Sequence, residues 1–307
     1  MSNSRLDSLR IVDPVLTNLA AGYTPSNMIG RFLFPTVKVK SQKGRVPVFG
    51  KDAFVLRDSN RAIRSNSNRI PTMEFQTIEF SLQERDLEVA MDYLEEMETY
   101  DLLQYEQKLV MDLLNLLELE KEKTIADYVQ NPDNFLSSNK IVLDSNSNFI
   151  NGESPKIVIQ DAVDALRKQI SRMPNLMIMG SDTYRAIINH SDFNSLSMHT
   201  GKMTVDIQFL KEGFGIKNII VGQSVYSEDG REFKDIWKDN IIIAYVDESP
   251  TKSQYNPSYG YIFQRDAMPE IDTYYENGGK VKIIRATDNW TMKVVAPEAA
   301  FLISNTN

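Results

Sequence analysis

The residues best suited to neutral-pH proton transfer or zinc ligation are two histidines, His190 and His199, and the chain holds no cysteine. Two histidine ligands on one helix face sit about four residues apart; these are nine apart, so both are read as structural or surface residues. Without cysteine there is no thiolate nucleophile and no disulfide framework. Gly213-Phe214-Gly215 begins a glycine pattern, but the third glycine of a dinucleotide fingerprint is missing and a helix-like stretch precedes it, so it reads as a helix stop. No GxxxxGK[ST] phosphate loop occurs. Ser224 follows Gly222 as in a nucleophile elbow, but Tyr226 stands where the second glycine is needed. Acidic pairs such as Glu95 and Glu96 lie in a polar stretch that solvates them. With no nucleophile, base and orienting group in one pattern, no catalytic residue, no cofactor-binding residue and no metal ligand is predicted. The chain reads as a non-enzyme without a cofactor.

The remaining chemistry is electrostatic. Between Lys38 and Arg69 lie nine basic residues against two acidic ones, and between Glu84 and Glu122 thirteen acidic residues against three basic ones. The basic run includes RVPVFGKDAFVLRDSNRAIRSNSNRIP, residues 45–71, which has too few apolar residues to form a core of its own. Arg57, Arg61, Arg64 and Arg69 punctuate its polar part; Glu88, Asp92, Glu95 and Glu96 open the acidic part. Such runs are commonly two independent solvated faces; alternatively they meet. The net charge of −8 argues against a general nucleic-acid grip, which wants a basic face. No apolar run approaches the roughly 20 residues of a membrane span, and Asp7, Asp13 and Pro14 interrupt any apolar signal segment. A soluble protein made in a cytoplasm, without a membrane partner, is the expectation.

The elements that carry these charges follow from hydrophobic period and punctuation. Asp13-Pro14 starts a short helix with Val15, Leu16 and Leu19 on one face, ended by Gly22 and Pro25. FLFPTVKVK reads as a short strand. VPVF and AFVL are strand-like, and the Ser/Asn-rich Asp58–Arg69 stretch is a loop. FQTIEFSLQERDLEVAM alternates and reads as one long strand, which makes a protruding hairpin around the polar tip. From about Glu95 to Val129 the period becomes 3.6, with Tyr100, Leu103, Gln107, Val110, Leu114 and Leu117 on one stripe widened by Leu102, Leu109, Leu113 and Leu116. One helix of about 32 residues, roughly 48 Å, is expected. Residues 154–250 alternate helix and strand: a helix capped by Ser154-Pro155, the strand NLMIMG, a helix capped by Ser181, the helix DIQFLKEGFG, then NIIVGQSVYS and NIIIAYV with an Asp229-Gly230 turn between them. YGYIF, EIDTYYE, KVKIIRA and WTMKVVA are strands that need the long helix to cover one face, with a tight turn at Asn277-Gly278-Gly279.

This order of parts, together with DPVLTNLAAGYTPSNMIGRFLFPTVKV, RVPVFGKDAF with SNRIP downstream, NLMIMGSDTYRAIINHSDF and FGIKNIIVGQSVYS, resembles the major capsid proteins of tailed bacteriophages, in particular a phage and prophage branch. The likeness spans essentially the whole chain. It implies an α+β, HK97-like capsid fold with an N-terminal arm (1–44), an extended E-loop hairpin (45–80), a P-domain (81–153) with a spine helix at about 95–130, an inserted α/β A-domain (154–258) and P-domain return strands (259–307). It implies a structural head protein that self-assembles into pentamers and hexamers of an icosahedral head around double-stranded DNA, located in the virion and assembled in the host cytoplasm. Portal, scaffolding and decoration proteins would be its other partners. About 30 residues precede the FLFP segment; for an unprocessed chain the resemblance then implies a scaffold that is a separate protein or dispensable. Because the family's E-loop lies on a neighbouring subunit, the resemblance pairs Arg57, Arg61, Arg64 or Arg69 with Glu88, Asp92, Glu95 or Glu96 of that neighbour. Some members cross-link through a lysine–asparagine isopeptide; Lys51 could supply the lysine, and no sequence feature identifies its partners. The competing readings are an encapsulin-type nanocompartment shell, a phage tail or connector protein, and an α/β enzyme built on residues 154–250.

Overall fold

The computed structural model describes residues 11–23, 25, 27–47, 59–61, 66–69, 77–193, 205–248 and 258–307. In chain order these form β1 (Ile11–Val12), α1 (Pro14–Gly22), α2 (Gly30–Leu33), β2 (Thr36–Val39), β3 (Lys43–Pro47), β4 (Thr77–Ser81) and β5 (Gln83–Asp92). Next come α3 (Tyr93–Glu98), α4 (Leu102–Val129), β6 (Lys140–Val142), α5 (Pro155–Ile170), β7 (Leu176–Gly180), α6 (Ser181–Asn189) and α7 (Ile207–Phe214). The remaining strands are β8 (Asn218–Gly222), β9 (Val225–Tyr226), β10 (Lys234–Asp235), β11 (Ile241–Ala244), β12 (Gly260–Arg265), β13 (Glu270–Glu276), β14 (Val281–Val294) and β15 (Ala300–Ser304).

Local chemistry sets many of the boundaries. Asp13 starts α1 by accepting the N–H groups of Val15 (2.9 Å) and Leu16 (3.0 Å), the usual work of a cap residue. Ser154 caps α5 as expected. The cap of α6 is Gly180, not Ser181, and it makes no side-chain bond. Gly215 ends α7 at φ +67°, a left-handed position that disfavours a β-carbon. The α1 face is narrower than expected: Leu16 and Ala20 are buried while Val15 is exposed. FLFPTVKVK divides, its first residues ending α2 and only Thr36–Val39 entering a sheet.

The larger sheet has the order β1-β13-β14-β12-β2, with β5 also paired to β14. KVKIIRA and WTMKVVA prove to be one strand, β14, whose first half lies between β13 and β5 and whose second half pairs with β12. Conversely, FQTIEFSLQERDLEVAM is two strands. Buried Leu82 separates them and donates its N–H to Gln42 O (2.9 Å), so β4 pairs with β3 while β5 pairs with β14. Helix α4 covers this sheet, as the apolar stripe requires: Val110, Leu113, Leu114 and Leu117 pack with Ile271, Ile284 and Ala286, and α1 adds Leu16 and Ala20. The long helix is not continuous, however. It stops at Glu98 and restarts at Leu102, because Asp92 and Asp101 each cap a helix: Asp92 accepts from Leu94 N and Asp101 from Gln104 N. Helix α4 has 28 residues. At the helical rise it spans about 42 Å.

The smaller sheet has the order β6-β15-β11-β7-β8, flanked by α5, α6 and α7. Two of its strands come from outside residues 154–258: β6 precedes that range, and β15 follows the return strands. β15 thus belongs to the smaller sheet although it lies within 259–307. Asp229-Gly230 lies between the short strands β9 and β10 rather than joining β8 to β11, which do not pair.

Two polar assemblies tie these layers together. Glu122 of α4 is 2% exposed and accepts three hydrogen bonds, from Ile29 N (2.9 Å), Gly30 N (2.8 Å) and Trp237 Nε1 (2.7 Å). It thereby joins the N-terminal segment, the long helix and the strand connection after β10. A β-carbon on Gly30 would lie 2.9 Å from Glu122 Oε2, so only glycine permits this approach. Nearby, Lys38 donates to Gln264 (2.7 Å), Gln264 donates to Asp288 (2.6 Å), and Asp288 accepts from Lys121 (3.0 Å). Burial pulls the Lys121 ammonium down, but Asp288 and Glu118 more than offset it and hold it above the usual lysine value, since opposite charges close by favour the charged form.

Candidate assembly interface

Among the described residues, the hairpin is anchored at its root. Val46 and Phe80 pack with Leu82, Tyr261, Phe263 and Val295, and the Phe80 and Phe263 rings stack at 4.5 Å. Strands β3 and β4 form a two-stranded sheet of their own. Further out, residues 59–61 and 66–69 are all exposed, and Asn68 Nδ2 reaches Asn60 O at 2.9 Å across the two halves. Arg61 and Arg69 are exposed there; Arg57, Arg64 and Lys51 lie outside the described residues. At the root a groove of about 610 Å³ is lined by Lys43, Arg45, Phe80, Gln83 and Lys293, among others. Arg45 shares its charge with Glu79 at 2.8 Å, whereas Lys43 and Lys293 have no ion-pair partner among the described residues.

The acidic residues singled out from sequence gather at the other end of β5. Asp92, Glu95 and Glu96 sit at the start of α3, and Glu88 lies on β5 just before it. Asp92 and Glu95 form a capping box, with Glu95 Oε2 accepting from Asp92 N at 3.0 Å, so two orphan donors are satisfied reciprocally. Glu88 accepts from the Tyr274 hydroxyl at 2.9 Å, which holds that phenol above its usual value. Glu96 remains partly exposed. Among the described residues no salt bridge joins these four to Arg61 or Arg69. The β5–β14 ladder runs unbroken from Gln83↔Trp290 to Asp92↔Val281. At the rise of a strand it separates the two ends by about 31 Å.

Much of the acidic run is spent internally. Glu106 pairs with Lys282, Glu118 with Lys121, Glu120 with Arg85, and Glu122 lies in its buried node. Of the acidic residues outside these pairs, Asp92, Glu95, Glu96 and Glu98 lie on or beside α3, while Glu84 and Asp86 are exposed at the opposite end of β5. Sequence periodicity does not reveal what accompanies the charge at α3. Tyr93, Leu94, Met97, Tyr100 and Leu103 are exposed, Met97 by 76% and Tyr100 by 106%, although one helical period places Tyr100 and Leu103 on the buried stripe. Leu116, on the widened stripe, is exposed too. The repeated spacing Asp92-x-x-Glu95 and Asp101-x-x-Gln104 is the signal for two helix starts, and hence for side chains left outside.

The residues considered for catalysis have local structural roles. Ser224 is buried and donates to Asn27 O. His190 Nδ1 accepts from Asp192 N at 3.2 Å, within the turn that follows α6, and His199 lies outside the described residues. Among the described residues no group of three metal-ligating side chains comes together, and no helix is long and apolar enough to cross a membrane.

Comparison with known proteins gives two unequal results. The family model of the DNA polymerase III delta subunit matches residues 47–133. That stretch is under a third of the chain and is not a self-contained body, since β5 pairs with β14 and α4 packs on β13 and β14. The other likenesses run end to end. The major capsid protein of Burkholderia phage BcepMu is 38% identical over 307 residues, 99% of each chain. The crystal structure of a phage-related protein from Bordetella bronchiseptica RB50 superposes with a TM-score of 0.82 at 26% identity, covering 97% of this chain and 98% of that one. The mature capsid of bacteriophage PhiM1 shares the fold at a TM-score of 0.55 and 12% identity, covering 93% and 89%. An end-to-end relative at that identity, on an α+β HK97-like fold, leaves one conclusion: the chain belongs to the major capsid proteins of tailed bacteriophages and is a structural protein of the phage head, not an enzyme.

Proposed function

We propose that copies of this chain assemble into pentamers and hexamers that close as an icosahedral head around double-stranded DNA. In this reading residues 1–44 are the arm, 45–80 the E-loop, 81–153 and 259–299 the P-domain, and 154–258 the A-domain, with β6 and β15 completing the A-domain sheet. The observation that carries it is the hairpin. Its strands form a separate two-stranded sheet, its described outer residues are all exposed, and the acidic cluster that would complement it lies at the far end of β5. A neighbouring copy would bring such a cluster within reach of the hairpin. Arg57, Arg61, Arg64 or Arg69 of one copy then faces Glu88, Asp92, Glu95 or Glu96 of the next. Exposed pairs contribute only about 0–1 kcal/mol each, but repeated around a closed shell they act together and set register.

The mechanism is mechanical. The shell encloses packaged DNA without reading its sequence. A chain of net charge −8 does not grip phosphate, which favours both packing and release. The head is part of the virion and is built in the host cytoplasm, with portal, scaffolding and decoration proteins as further partners. The test is to express the chain alone and with its neighbouring phage genes, then examine both by negative-stain microscopy and light scattering. Closed shells, or rings of five and six, support the reading. A stable monomer in both preparations overturns it, and a protein cargo in place of DNA would favour a nanocompartment. Arg61→Glu with Arg64→Glu should impair assembly without lowering the subunit's melting temperature; normal shells from that variant would remove the arginines from the contact.

A further inference from the structure

The subunit has two unlike ends joined by one straight ladder. At one end the root groove presents Lys43 and Lys293, with Phe80 among its lining residues. At the other, α3 and the break after it present Leu94, Met97 and Tyr100, with Glu96 and Glu98 beside them. The groove lining carries Lys43, Arg45 and Lys293 against Glu79, a net positive charge; the knob is apolar at its centre and negative at its rim. We propose that the α3 knob of one copy seats in the hairpin-root groove of the next, with Glu96 and Glu98 meeting its lysines and Glu88, Asp92 or Glu95 left to the arginine-bearing loop. This rests on the shell reading and assigns it a second, specific docking site.

Two features select a second copy as the occupant. The first is charge. Glu96 and Glu98 make no ion pair among the described residues and neither do Lys43 and Lys293, so each end carries the complement of the other. The second is placement. The two surfaces terminate the same β5–β14 ladder. They lie about 31 Å apart along it, so one chain cannot satisfy itself across that distance. Each copy therefore offers its knob forward and its groove behind. A head-to-tail contact of this kind is heterologous, and heterologous contacts generate rings when the rotation closes. The exposed Met97 and Tyr100, which the monomer leaves in water, become the apolar centre of a contact whose rim is charged, the usual anatomy of an interface.

The experiment is a charge exchange. Lys43→Glu with Lys293→Glu makes the groove acidic, and Glu96→Lys with Glu98→Lys makes the knob basic. None of these four side chains is buried, so circular dichroism and melting temperature should match the wild type. Each double variant alone places like charges in contact, and its yield of shells should fall by about tenfold or more. The chain carrying all four substitutions restores complementarity and should assemble again. An equal mixture of the two double variants should give rings that alternate the two chains; an alternating ring cannot have five members, so hexamers form without closed shells. Because the chain has no cysteine, Met97→Cys with Lys293→Cys provides an independent readout: oxidation of assembled particles should yield a ladder of linked subunits that neither single substitution gives. Normal shells from both double variants, loss without recovery in the fourfold variant, or absence of the ladder in assembled particles would overturn the docking site. A loss of DNA content with assembly intact would also overturn it, by assigning the groove to nucleic acid. Wild-type shells in the same preparation distinguish that result from failure of the shell reading itself.

Discussion

Replacing Glu122 separates the cost of an unmet donor from the cost of a buried charge. Its Oε1 accepts from both Ile29 N and Trp237 Nε1, and its Oε2 from Gly30 N. Glu122→Ala leaves three buried donors without a partner. At about 1–3 kcal/mol each, the loss is about 3–9 kcal/mol, a large share of the roughly 5–15 kcal/mol that stabilises a domain. Glu122→Gln differs in kind. Its amide oxygen can replace Oε1 and keep two bonds, so only Gly30 N faces an NH₂ group, at about 1–3 kcal/mol, offset by no longer burying a charge. The pH dependence follows from the same site. Burial raises the Glu122 pKa above its ordinary 4.5, against the pull of its three donors, because a low-dielectric surrounding disfavours the charged form. A group whose pKa is raised by folding contributes stability that is fully present below the unfolded value and is lost as pH rises through the folded one. Glutamine does not titrate. The wild type should therefore lose ground to Glu122→Gln as pH rises from the unfolded carboxylate value toward neutrality. Urea unfolding of the unassembled subunit, followed by tryptophan fluorescence at acid and neutral pH, measures all three proteins. Trp237, one of two tryptophans, reports from the site itself. The reasoning fails if Glu122→Ala is as stable as Glu122→Gln, or if the glutamine penalty grows as pH rises.

Other sites give sharper single numbers. Lys121→Ala removes the cation 3.0 Å from Asp288, whose side chain is 3% exposed, and leaves a buried carboxylate unpaired; a loss of about 3–5 kcal/mol is expected in denaturant unfolding. Gly215→Ala places a β-carbon at φ +67° with no atom in its way, so the cost is conformational alone, about 1–2 kcal/mol, and should appear as a lowered melting temperature without any change in assembled particles.

Local signals are readable from the chain, and long-range ones are not. Asp13, Ser154 and the Asn277-Gly278-Gly279 turn act where their chemistry places them, because each boundary is decided within four residues. The stripe from Val110 to Leu117 is buried because α4 lies on β13 and β14. By contrast, nothing near residues 300–304 says that this apolar run pairs with β11 and β6 rather than with the preceding strands; AFLIS would suit either sheet. The charge count fails for a related reason. Composition cannot distinguish Glu122, buried among donors, from Glu98, left at the surface. Of the candidate contact, the acidic half is legible as a cluster, while Tyr100 and Leu103 beside it are misplaced by one uninterrupted helical period. Two aspartate caps three residues ahead of Glu95 and Gln104 mark the interruption, once pattern is read together with cap spacing.

The position of β15 has a consequence for biosynthesis. It lies between β6 and β11, so a ribosome that has translated only as far as Ala299 has made a sheet with its interior strand missing and the edge of β11 open. Strands so far apart in the chain as β6 and β15 must wait for one another, the kind of pairing that slows folding. Folding of that half therefore waits until Ala300–Ser304 have been translated. For a particle built from many identical copies, this acts as proofreading: a prematurely terminated chain lacks the strand that closes its own sheet, and so does not reach the shape that a growing lattice accepts.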